Sequence, residues 1–136
     1  MARLGRVIRA VPIVVAAAAT AARGGEFADG NRELFVKYCA ACHGEDGKGA
    51  GVAASTMRQP PPDLTRLSRD NGGEFPLGRV MRAIDGRTAV GAHGRADMPV
   101  WGEVFTKDPF IDQRFGVRIR VRRLAEHVRS IQEPGG

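Results

Sequence analysis

Apolar positions recur at helical spacing in three stretches of this chain. Leu34, Phe35 and Tyr38 share one face of a segment that Asp29 can cap, so a first helix is expected over 29–38. Leu77, Val80, Met81 and Ile84 form an i, i+3, i+4, i+7 stripe, with Pro76 at its start and Gly86 at its stop. The last stretch carries two patterns at once. Val117, Ile119 and Val121 alternate with Arg118, Arg120 and Arg122 as in a strand, whereas Val117, Val121, Leu124, Val128 and Ile131 repeat at spacings of 4, 3, 4 and 3 over 15 residues. The longer pattern predicts a helix, closed by Pro134-Gly135-Gly136. No strand-turn-strand signal appears elsewhere, so the expected fold class is all-α.

The connections are equally informative. Gly44, Gly47, Gly49 and Gly51 mark a loop, and without a Gly-Lys-Ser/Thr ending it is no phosphate cradle. Pro60-Pro61-Pro62 is stiff and extended, because each ring sets its own φ and restrains the residue before it. A short helical turn from Asp63 to Ser68 follows.

The amino terminus reads as a segment apart. Arg3, Arg6 and Arg9 precede an apolar run from Ala10 to Ala19 broken by Pro12, and Ala19-Thr20-Ala21 and Thr20-Ala21-Ala22 offer small-residue cleavage sites. Residues 1–22 are therefore expected to be a cleaved export signal and 23–136 a single domain. The run falls short of the about 20 residues a membrane span needs, so an uncleaved tether is the weaker alternative. The whole chain carries a net charge of +6, but without residues 1–22 it keeps 18 basic and 15 acidic residues. Aromatic residues are not interleaved with the basic ones, which argues against a nucleic-acid groove. Arg118, Arg120, Arg122, Arg123 and Arg129 form the densest basic group, with a solvated helix face as its default reading and a docking patch as the alternative.

Cysteine occurs twice, in Cys39-Ala40-Ala41-Cys42-His43. C-x-x-C-H is the spacing of covalent c-type haem attachment: two thiols can add to the vinyl groups of one haem edge, and the adjacent imidazole then reaches the iron. The competing chemistries fit less well. A thioredoxin-like pair needs flanking βα alternation, a structural zinc needs a fourth ligand, and a plain disulfide leaves His43 unexplained. Export and haem attachment support each other, since exposed thiol pairs suit an oxidising compartment. For the sixth iron position the candidates are Met57, Met81, Met98, His93 and His127. Met98 leads, 55 residues after His43, in a loop that Pro99 stiffens.

These residues together resemble a class I monohaem cytochrome c over about residues 27–132. The resemblance is carried by Leu34-Phe35-Val36 before Cys39-Ala40-Ala41-Cys42-His43-Gly44, by Pro62-Asp63-Leu64, by Met98-Pro99-Val100-Trp101-Gly102, and by Leu124 and Val128. It implies three to four helices wrapped around one haem c, with Cys39 and Cys42 as thioether links and His43 and Met98 as the proximal and distal iron ligands. It also implies that the Pro62 carbonyl accepts from the His43 imidazole; Trp101 and Arg95 are near enough in sequence to reach a propionate, with packing or exposure to water as the alternative. Two positions depart from the family pattern. Asn31 stands where the first helix usually has glycine, and His127 where the terminal helix usually has an aromatic residue. Both fall at one helix crossing, where the two side chains are expected either to meet in a polar contact or, after a slight helix rotation, to face water.

The implied function is that of a periplasmic electron carrier, a monomer and not an enzyme, with peripheral or no membrane association. Its partners would be a dehydrogenase or quinol-oxidising complex on one side and a terminal oxidase on the other. Two alternatives stand beside it. One is a haem-based sensor or catalytic domain whose sixth position is open or held by His93, and the other is the cytochrome subunit of a larger dehydrogenase.

Overall fold

The computed structural model describes residues 17–88, 98–110 and 115–134; of residues 17–24, 26 and 27 it describes the helical backbone alone. Among them are five α-helices and no strand: α1 (Ala17–Tyr38), α2 (Ala40–His43), α3 (Leu77–Asp85), α4 (Trp101–Thr106) and α5 (Gly116–Ser130). Short 3₁₀ turns lie at Ala54–Thr56, Leu64–Arg66 and Arg69–Asn71. The protein is all-α, as its periodicity predicts.

α5 is the hub, with α1, α3 and α4 all packed against it. Its stripe does what the 4, 3, 4, 3 spacing requires: Val117, Val121, Leu124 and Val128 are buried, joined by Ala125. Phe35 of α1, Val80 and Ile84 of α3, and Phe105 of α4 complete the core. Pro76 precedes α3 at its N-cap and Gly86 caps its other end, with a φ of 67° in the left-handed conformation that closes a helix.

Two expectations need correction. Among the described residues α1 already runs from Ala17, so Asp29 lies inside the helix instead of capping it; the alanines of 17–22 are strong helix formers and carry the helix through Gly24-Gly25. Nor do Asn31 and His127 meet. Asn31 Oδ1 accepts from Arg123 Nε at 2.8 Å, while the His127 ring lies 4.7 Å from that of Phe35, with its Nε2 buried and without a hydrogen-bond partner. Arg123 stands one turn before His127 and has the longer reach, and the imidazole fills the aromatic position as a flat ring.

The basic group is divided rather than pooled. Arg120 pairs with Asp108 at 3.2 Å, Arg129 and Arg122 flank Glu126 at 2.7 and 3.5 Å, and Arg123 turns to Asn31. Beyond α5 the tail is fastened by Gln132. Its Nε2 donates to the Leu64 and Val128 carbonyls at 2.7 and 2.8 Å, and its Oε1 accepts from the Ser68 amide at 2.8 Å.

Candidate cofactor-attachment site

The last turn of α1 delivers the first cysteine: the Cys39 amide donates to the Phe35 carbonyl at 2.8 Å. The chain then makes one further helical turn, with the Cys42 and His43 amides both donating to the Cys39 carbonyl at 3.1 and 2.9 Å. Residues three and four apart on a helix are neighbours, so Cys39, Cys42 and His43 present their side chains along one edge. His43 Nδ1 is closed off from solvent.

The glycine loop after His43 folds straight back onto this turn. Gly49, Gly51 and Ala53 amides donate to the carbonyls of His43, Cys42 and Ala41 at 2.7, 3.1 and 2.8 Å, satisfying the carbonyls that a helix end leaves open. Such close approach requires glycine at two positions. A Cβ at Gly51 would collide with the Ala40 and Ala41 carbonyls, and one at Gly49, where φ is 84°, would land on the Pro61 carbonyl. The proline stretch thus closes on the loop, and the Leu64 amide completes the join by donating to the Gly47 carbonyl at 2.8 Å. Asp63 caps the following turn, accepting from the Thr65 amide and hydroxyl at 2.9 and 2.6 Å. Pro62 itself is exposed at the head of this turn.

An aromatic cluster joins this half of the site to the loop that carries Met98. Tyr38, next to Cys39, meets Trp101 edge-on at 5.3 Å and Phe105 at 5.2 Å, and Trp101 stacks on Phe105 at 5.7 Å. Arg120 reinforces it, lying over the Phe105 ring and donating to the Tyr38 hydroxyl. Trp101 opens α4, three residues after Met98, and its ring is engaged in packing. Met98 is half-buried against the core, as are Leu64, Leu67, Phe75, Leu77 and Met81.

The remaining ligand candidates sort by position. Met81 packs on the core from α3, His127 is buried under Phe35, and Met57 is half-buried after the 3₁₀ turn at 54–56. His93 and Arg95 lie outside the described residues. One group escaped sequence reading altogether. Arg87 grips the Asp85 carboxylate from α3's end, holding that carboxyl below its usual range, and the pair lies against buried Gly102. Its only trace in the sequence is a pair of opposite charges two residues apart.

The Cys39 thiol weighs against the redox-pair reading. Burial, with Cys42 close by, pushes the Cys39 thiol up to about 12. A redox-active C-x-x-C needs the reverse, a thiol lowered toward the thiolate. Among the described residues no three His, Cys, Asp or Glu side chains converge as a metal cage, so the zinc reading gains nothing. Two thiols and an imidazole in one turn, beside apolar side chains that the core covers only in part, fit a covalently held haem.

Fold and site therefore describe a small all-α protein built around the Cys39–His43 turn. The model of the cytochrome c family matches residues 28–104, more than half of the chain, and the chain belongs to that family of electron-transfer proteins. No curated protein and no solved structure matches it. The matched span stops short of α5. Among the described residues no helix is long and apolar enough to cross a membrane.

Proposed function

We propose that the chain is a class I monohaem cytochrome c that carries one electron at a time between periplasmic respiratory or dehydrogenase partners. The observation that carries this reading is the turn Cys39–His43, tied through Tyr38 and Trp101 to the segment that holds Met98. Cys39 and Cys42 form the thioether links, His43 is the proximal ligand and Met98 the distal one. Haem, when bound, supplies a reversible one-electron iron couple.

The protein's own residues set how that couple behaves. The Met98 thioether is soft and uncharged, so it favours ferrous over ferric iron and raises the potential. With haem bound, the Pro62 carbonyl would accept from the His43 imidazole and fix its ring. Leu64, Leu67, Phe75 and Met81, half-buried against the core, would help to keep water from the haem. With His43 and Met98 both holding the iron, no position would remain open to a substrate, and the bound haem would exchange electrons by outer-sphere transfer. Residues 1–22 direct export and are removed, and docking uses weak, rapidly dissociating contacts.

The test is the ferric visible spectrum of periplasmically matured protein. A weak far-red band of methionine-ligated low-spin haem is expected, lost in Met98→Ala and kept in Met57→Ala. Covalent haem without that band would instead favour His93 ligation or an open sixth position, and with it a sensor or catalytic role. Stable co-purification with a catalytic subunit would make the chain part of a larger dehydrogenase.

A further inference from the structure

We infer that Asp85 and Arg87 form a clasp that positions Met98, closing the base of the loop on which it stands. This rests on the reading of Met98 as the distal ligand. α3 ends at Asp85 and α4 starts at Trp101, three residues after Met98. The ends touch. A Cβ at Gly86 would lie 3.3 Å from the Val100 Cα, and one at Gly102 would strike Asp85 Oδ1, the Asp85 carbonyl and Arg87 Nε. The fork itself is two-pronged: Arg87 Nε donates to Asp85 Oδ1 at 2.6 Å and Nη2 to Oδ2 at 3.0 Å. Gly102 is buried beneath it, and Glu103 adds a second negative charge toward Arg87.

The physical consequence concerns the loop rather than the core. Val100 and Gly102 follow Met98 by two and four residues, with Pro99 as a stiff link, so fixing them narrows the space the thioether explores. Release of Met98 requires that restraint to yield. An exposed single-pronged ion pair would add little, but a planar bidentate contact seated on backbone holds a defined geometry. Asp85 and Arg87 are thus positioning residues that act through Met98.

The experiment is an imidazole titration of the ferric holoprotein at neutral pH, comparing wild type with Asp85→Asn, Arg87→Ala, the double variant and Arg87→Lys. Imidazole binds only where Met98 has left, so its apparent affinity reports the released fraction. Each single variant is expected to bind imidazole about twofold to fivefold more tightly. The double variant should match the singles, since both remove one contact. Arg87→Lys should not restore the wild-type value, because an ammonium cannot span both carboxylate oxygens. Unchanged imidazole affinity in variants that keep the far-red band overturns the clasp, even if guanidinium unfolds them sooner. A wild type without the far-red band overturns Met98 ligation itself, and the clasp with it.

Discussion

His127 shows how one substitution moves from a polar expectation to an aromatic role. Its ring packs tilted against Phe35 at the α1–α5 crossing, where burial, with the Arg32 charge as a second cause, lowers its pKa from the ordinary 6.5. The unfolded chain then binds the proton more readily than the folded one. Stability is therefore undiminished above pH 6.5 and declines as pH falls from there toward the lower folded value. His127→Phe keeps the ring and removes the proton site. Guanidinium unfolding of the holoprotein at pH 7 and pH 5 should show a drop in midpoint for wild type and a smaller one for His127→Phe; equal drops would place the acid sensitivity elsewhere. The sequence marked this position as unusual but not what it would touch. A side chain's partner depends on which rotamer reaches furthest, and at Asn31 the guanidinium of Arg123 reaches first.

At the scale of elements, the helices were legible and their junctions were not. α3 and α5 lie where apolar spacing places them, because an amphipathic stripe states both the period and the buried face. The start of α1 was not legible, since alanines propagate a helix without any stripe to date its beginning. Gln132 is the clearest hidden junction. In sequence it is an unremarked polar residue after the last helix; in the fold its amide ties α5 to the 64–68 turn behind the attachment loop through three hydrogen bonds. Gln132→Ala leaves those partly buried backbone groups to find water and is expected to cost about 1–3 kcal/mol. Thermal unfolding followed by circular dichroism measures this; an unchanged midpoint would mean that solvent already serves those groups.

For the whole molecule, the arrangement places one helix at the centre of three interfaces. Leu124 is fully buried there, and the family match that ends at residue 104 does not include it. Leu124→Ala is expected to destabilise the holoprotein by about 2–5 kcal/mol in guanidinium unfolding. A much smaller loss would mean that α5 can shift to fill the space. The aromatic contacts of Tyr38 with Trp101 and Phe105 act at the same scale, bringing the end of α1 to the start of α4 across more than sixty residues of chain.

Sequence alone determined the all-α class, the faces of α3 and α5, and the attachment turn, because each depends on residues within a few positions of one another. Periodicity and the C-x-x-C-H spacing are local properties, and local geometry suffices to express them. Tertiary structure decided what lies opposite: the Pro61 carbonyl over Gly49, the ring of Phe35 against His127, and the Asp85–Arg87 fork against Gly102. Those contacts join segments whose separation in sequence carries no periodic signal. They exist only once packing of α1, α3 and α4 on α5 has fixed where each backbone lies.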